Sequence, residues 1–278
     1  MTGSTAQPHV LLVGCGNMGG AMLKGWLQEG KYRISVIDPH PAPENTKRDD
    51  LEIYTSADDF SQNGTQADIV ILAVKPQILA DVAPSIVPCL TEDTIILSIA
   101  AGQPIKTLEN LFGAQHKIIR SMPNTPSQIG RGMTVLSPNG LCDEHAVALA
   151  EDLMSSIGDV LVIEDETLMN AVTAVSGSGP AYVFLLIEAL ESAAISAGLS
   201  EETARRLARR TITGSAALAA ANDDTDAATL RQNVTSPGGT TEAALDILME
   251  SQSGLVDLMD RAVQNAVQRG IDLGKKDT

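Results

Sequence analysis

Residues 10–19 read Val10-Leu11-Leu12-Val13-Gly14-Cys15-Gly16-Asn17-Met18-Gly19. Four consecutive apolar residues make a run of the length of a buried strand, and glycines follow at once in the spacing G-x-G-x-x-G. Ala21, Met22, Leu23, Trp26 and Leu27 then recur at helical intervals. Strand, glycine turn and helix, in that order, form the context a dinucleotide-binding fingerprint requires. Gly14 suits the tight turn, Gly16 leaves backbone bare for a pyrophosphate, and Gly19 lets the helix pack on the strand.

The pattern continues outward from this stretch. Residues 34–37 predict a second strand, ended by Asp38 and Pro39. Asp38 lies roughly 20 residues past the glycines, where a carboxylate accepts from a ribose 2′-OH and so favours NADH. Lys47 and Arg48 downstream offer the opposite choice, a basic partner for a 2′-phosphate. Further strands are predicted at 69–74, 94–99, 117–119, 133–136 and 160–163, with helices at 77–86, 104–112 and 144–155 between them. Short apolar strands alternating with helices predict an α/β domain built on a parallel sheet. Ligands of such sheets lie beyond the carboxyl ends of the strands. The residues gathered there are Val13, Gly14, Cys15, Gly16, Asn17 and Met18, then Asp38 and Pro39. Beyond the next strands come Ala73, Val74, Lys75 and Pro76, then Ala100, Ala101 and Gly102, then Met122 and Asn124. They are the expected lining for NADPH or NADH.

Composition changes near residue 164. Strand-like runs stop and alanine-rich helical patterns begin, which predicts two domains, 1–164 and 165–278. Pro180 suits a first helical position and a preceding serine suits the cap. The helix predicted at 181–197 is apolar nearly all round, through Val183, Phe184, Leu185, Leu186, Ile187, Leu190 and Ile195. Such a helix belongs in a core. A second domain of about 115 residues can hardly surround it alone, so a homodimer is expected to bury it. Amphipathic patterns follow at 202–221 and 255–271.

Residues 234–241, Val234-Thr235-Ser236-Pro237-Gly238-Gly239-Thr240-Thr241, interrupt the helices. Pro237 stops what precedes it, and the two glycines let backbone N–H groups turn inward. Thr240 and Thr241 open a helix, whose N-terminal N–H groups favour an anion. Ser236, Gly238, Gly239, Thr240 and Thr241 are therefore candidate ligands for a small carboxylate or phosphate. An ordinary capped turn between helices has the same composition.

The net charge of −16 argues against nucleic acid and anionic membranes as partners. Aromatics are only 3% of residues, so the core must be packed with Ala, Val, Leu and Ile. Cys15, Cys89 and Cys142 are scattered without disulfide or zinc spacing, and the four histidines are isolated. No metal site is expected. No secretory signal is visible at the N-terminus, and a reducing, cytoplasmic setting is expected.

Several of these segments together resemble pyrroline-5-carboxylate reductase. They are Gly14 to Gly19, Ala73-Val74-Lys75-Pro76, Ser98-Ile99-Ala100-Ala101-Gly102, Met122-Pro123-Asn124-Thr125-Pro126, Ser176-Gly177-Ser178-Gly179-Pro180-Ala181-Tyr182 and the 234–241 loop. The resemblance spans nearly the whole chain. It implies a Rossmann domain followed by an all-helical dimerisation domain, with an active site at the subunit interface and NAD(P)H as reductant. It implies homodimers, in many members assembled further into decamers. It also implies that the Ser236 hydroxyl and N–H groups around Gly239 and Thr240 bind the substrate carboxylate, while Thr241 stands near the ring nitrogen and serves as the catalytic residue.

Two other readings remain at this point. A β-hydroxyacid dehydrogenase or general imine reductase has the same domain pattern, but normally carries an acidic group or lysine in the linking helix. Here residues 168–180 offer Asn170, Thr173, Ser176 and Ser178 and no lysine. A cofactor-sensing protein without turnover would keep the fingerprint but would have no use for the 234–241 loop.

Overall fold

The computed structural model describes residues 7–41 and 51–274. The first strand, β1 (His9–Val13), is followed by α1 (Asn17–Glu29) and β2 (Arg33–Ile37). Then come β3 (Glu52–Tyr54), α2 (Ala57–Gln62), β4 (Ile69–Leu72), α3 (Pro76–Ile86), β5 (Ile95–Ser98) and α4 (Ile105–Phe112). The first unit continues with β6 (Lys117–Met122), β7 (Gly132–Pro138), α5 (Glu144–Ser155) and β8 (Gly158–Val162). The strands form one sheet of order β3-β2-β1-β4-β5-β6-β7-β8. The order reverses between β1 and β4, the switch point where an open α/β sheet leaves a crevice.

The apolar run that opens the fingerprint serves both faces of this sheet. Val10 and Leu12 pack with Met22 and Trp26 of α1 and Leu153 of α5; Leu11 and Val13 pack with Phe60, Leu79 and Leu108 on the other side. All four strand residues are 2% exposed or less. Such a strand has to read as unbroken apolar sequence, because successive side chains enter opposite cores. Trp26 fixes α1 against α5 through its indole N–H, which donates to the Leu153 carbonyl at 2.8 Å.

The fold differs from the sequence expectation in two respects. β3 and α2 carry no strong periodicity and follow a segment, 42–50, outside the described residues. The sheet is also not wholly parallel: β6 and β7 pair antiparallel. Only residues 123–131 join them, which is shorter than the dozen or more a parallel crossover needs. β8 then pairs parallel with β7, after the crossover through α5.

Contacts divide the chain into two compact units, Met1–Gly177 with Ala266–Thr278, and Ser178–Asn265. The composition break near 164 marks where strands stop. The contact break at 177, after a one-turn helix α6 (Met169–Val172) and a π-turn (Thr173–Gly177), marks where the chain leaves the first unit until Ala266.

The second unit holds α7 (Gly179–Ser196), α8 (Glu201–Ala220), α9 (Ala227–Asn233), α10 (Thr240–Leu248) and the start of α11 (Leu255–Gly274). The serine cap expected for α7 is not made. Ser178 has helical dihedrals and no side-chain cap bond, because the π-turn runs straight into the helix. α7 packs on α8, where Ala204 and Ala208 are buried, and Arg205 pairs with Glu191 at 3.2 Å. Otherwise the apolar faces are bare: Phe184 is 59% and Leu185 63% exposed, and no residue of α7, α10 or α11 is buried. Residues Glu166–Ser196 are long and apolar enough, by composition, to cross a membrane. An uncovered apolar surface of this extent on a helical unit marks a binding face.

Candidate active site

The fingerprint glycines meet three different demands. Gly14 has φ +90°, and a Cβ there would lie 3.0 Å from the Ala73 carbonyl oxygen. A Cβ on Gly19 would lie 2.3 Å from the Gly14 carbonyl oxygen, so only glycine lets α1 close on the turn. Gly16 faces open space, with nothing within 4 Å of an added Cβ. It is also the N-cap of α1, with no side-chain cap bond and no acidic residue in the first turn. Uncapped N–H groups under an open backbone fit a pyrophosphate. The residues present therefore fit a dinucleotide.

Asp38 stands at the carboxyl end of β2 and reaches the same loop. Its Oδ2 accepts from the Cys15 N–H at 2.7 Å and its Oδ1 from the His40 N–H at 2.8 Å. The carboxylate is held in place and keeps acceptor capacity for a ribose hydroxyl. Beside it, a slot of about 250 Å³ runs between Pro39, Thr55 and Ser56 on one side and Val74, Ile78 and Val82 on the other, floored by Val13, Gly14 and Ile37. A mostly apolar slot of that volume suits a purine ring. Thr55 and Ser56 were not anticipated from sequence. The available signal was Ser56 as an N-cap, its hydroxyl accepting from the Asp59 N–H at 3.2 Å. Lys47 and Arg48, the alternative partners for a 2′-phosphate, lie outside the described residues.

Beyond β4, Lys75 is the N-cap of α3 and Pro76 takes its first position, so only residues 73–75 separate the strand from the helix. Beyond β5, Ala100 is 3% exposed and Gly102 has φ +76°. Beyond β6, the Asn124 side chain is used within the chain: Oδ1 accepts from the Met133 N–H at 2.9 Å and Nδ2 donates to Ser176. The segments of the first unit that were expected to line a cofactor thus converge at one end of one sheet.

The loop before α10 has the predicted form. Gly239 is the N-cap, with no side-chain cap bond, and Gly238 has φ +71°. The Ser236 carbonyl accepts from the Gly239 N–H at 3.0 Å. A carboxylate already rests on this loop: Glu242 Oε2 accepts from the Gly238 N–H at 2.6 Å. Ser236 and Thr240 are exposed and Thr241 is half-buried.

Fold and fingerprint define the class first: a Rossmann-type NAD(P)H-dependent oxidoreductase with a helical second unit. Residues 166–273 match the family model described as pyrroline-5-carboxylate reductase dimerisation, and residues 9–102 match that of the NADP oxidoreductase coenzyme F420-dependent family. A pyrroline-5-carboxylate reductase of Vibrio alginolyticus is 38% identical over 96% of this chain and 97% of its own length. One of Pseudomonas aeruginosa is 36% identical over 98% of both. Among solved structures, a pyrroline-5-carboxylate reductase from Coxiella burnetii superposes with a TM-score of 0.87 at 34% identity, covering 96% of this chain and 98% of that one. A Plasmodium falciparum pyrroline carboxylate reductase with NADP bound gives 0.79 at 30% identity, covering 96% and 98%. The chain belongs to the pyrroline-5-carboxylate reductase family.

Proposed function

We propose that the protein reduces the C=N bond of 1-pyrroline-5-carboxylate to give L-proline, the last step of proline biosynthesis, with NAD(P)H as reductant. The observation that carries this reading is one chain with both a dinucleotide fingerprint and a separate carboxylate-holding loop. A nicotinamide bound there would supply the hydride that C5 of the pyrroline ring takes up, with the ring nitrogen already protonated from solvent water. A protonated imine is already electrophilic, so the work left to the protein is positioning.

The residues divide that work. Val13, Gly14, Cys15, Gly16, Asn17 and Met18 carry the pyrophosphate, while Asp38 and Pro39 flank the adenosine ribose. Ala73 to Pro76, Ala100 to Gly102 and Met122 line the nicotinamide end. Asn124 belongs there too, as a residue that shapes the wall. Asp38 favours NADH, since its charge repels a 2′-phosphate. In the second unit, the Ser236 hydroxyl and the N–H groups of Gly238, Gly239 and Thr240 bind the substrate carboxylate, displacing Glu242. Thr241 orients the imine nitrogen and is the catalytic residue. The bare faces of α7 and α11 support a homodimer, with assembly into decamers as a further step. The acidic chain works in the cytoplasm, with no nucleic acid or membrane as partner.

The test is oxidation of NADH and NADPH, each with 1-pyrroline-5-carboxylate. Rapid substrate-dependent oxidation is expected. A folded dimeric protein that oxidises neither would overturn the reading.

A further inference from the structure

Between α6 and α7 the backbone widens into the π-turn over Thr173–Gly177. Such turns are poor helix geometry and recur at functional sites. Here the turn is clamped from two sides. Asn124, just past the end of β6, donates from Nδ2 to the Ser176 carbonyl at 3.3 Å and to Ser176 Oγ at 3.2 Å. Its Oδ1 is tied to the N–H of Met133 at the start of β7 at 2.9 Å. A Cβ on Gly177 would come within 2.4 Å of Met122 Cε, so the turn lies close on the end of β6.

The clamp leaves one group unused. Ser176 Oγ accepts from Asn124, so its own proton points elsewhere, and among the described residues it donates no hydrogen bond. Thr173, in the same turn, behaves as an ordinary helical hydroxyl and donates to the Met169 carbonyl at 2.8 Å. Ser176 is half-buried and held by a side chain that is itself held by the sheet. A donor fixed in this way is pre-oriented for a ligand.

Its place in the sheet says which ligand. The fingerprint sits at β1 and Asp38 at β2, on one side of the switch point; β4, β5 and β6 lie on the other. A dinucleotide crossing the switch point with its adenosine at Asp38 has its nicotinamide toward β6. We propose that Ser176 is a cofactor-binding residue whose hydroxyl donates to the carboxamide oxygen of the nicotinamide, with Asn124 as the residue that positions it. The contact sets the rotation of the ring before substrate arrives. This inference rests on the cofactor crevice assigned above.

The test compares two ligands in the absence of any imine. NADH and ADP-ribose, which lacks the nicotinamide, are titrated calorimetrically against wild type, Ser176→Ala and Ser176→Thr. Ser176→Ala is expected to weaken NADH about tenfold, the scale of one lost hydrogen bond, and to leave ADP-ribose unchanged. Ser176→Thr keeps the hydroxyl and is expected to restore most of the NADH affinity. Unchanged NADH affinity in Ser176→Ala, or equal losses for both ligands, would overturn the proposal. Wild type that binds neither ligand would sink the crevice assignment itself. Normal NADH binding without imine reduction would count against the substrate reading alone.

Discussion

The Asp38 carboxylate accepts from the Cys15 N–H at 2.7 Å, joining the end of β2 to the glycine turn after β1. One side chain therefore both braces the fingerprint loop and presents a negative charge at the proposed adenosine ribose site. Asp38→Asn keeps an acceptor for the Cys15 N–H and removes the charge. It is expected to lower kcat/KM for NADH and raise it for NADPH, moving the ratio by about 10- to 100-fold in the direction of NADPH. Steady-state rates with each cofactor check this. A ratio that does not move would free Asp38 of any part in selectivity.

Gly16 and Gly19 stand three positions apart in one motif with opposite constraints. Gly16→Ala adds a methyl into open space and is expected to leave thermal stability unchanged while weakening NADH by about tenfold or more. Gly19→Ala drives a Cβ into the Gly14 carbonyl and is expected to cost about 1–3 kcal/mol of stability. Melting curves and NADH titrations of the two variants separate these effects.

Thr241→Ala is expected to reduce kcat roughly 10- to 100-fold, the low end for loss of one positioned hydroxyl. The KM for NADH should stay near its wild-type value, because the loop is proposed to hold the substrate and not the cofactor. Full activity in this variant would remove Thr241 from the mechanism.

Phe184 and Leu185 stand 59% and 63% exposed on α7. A double change to Phe184→Glu and Leu185→Lys places charges on a face that needs a partner. Sedimentation is expected to show monomer, with imine reduction lost and NADH binding retained, since the fingerprint unit is complete in one chain.

The Tyr32 hydroxyl donates to Asp152, linking the start of β2 to α5. That hydrogen bond holds the Asp152 carboxyl below the usual carboxylate range, while burial and then the same bond push the Tyr32 phenol up. A lowered carboxyl contributes stability above its unfolded pKa and loses it as pH falls below about 4. A raised phenol contributes below its unfolded pKa and loses it as pH climbs past about 10. Tyr32→Phe should flatten the alkaline arm of a stability–pH profile and shallow the acid one.

The sequence by itself determined the nucleotide-binding half of this protein. Val10 to Gly19 could be read because a doubly buried strand and three glycines with separate steric tasks leave a pattern no other local structure needs. The loop before α10 was readable for the same reason, since helix starts and glycine turns are local. Tertiary structure alone decided the rest. The reversal at β7 depends on how little chain joins it to β6, and β3 is an edge strand whose three residues gain a partner only through β2. Asp38 reaching Cys15 pairs two strand ends, and Asn124 holding Ser176 pairs a strand end with a turn between helices far along the chain. Periodicity reports which face of an element is apolar. It carries no record of which polar side chains the packed sheet brings within a hydrogen bond of one another.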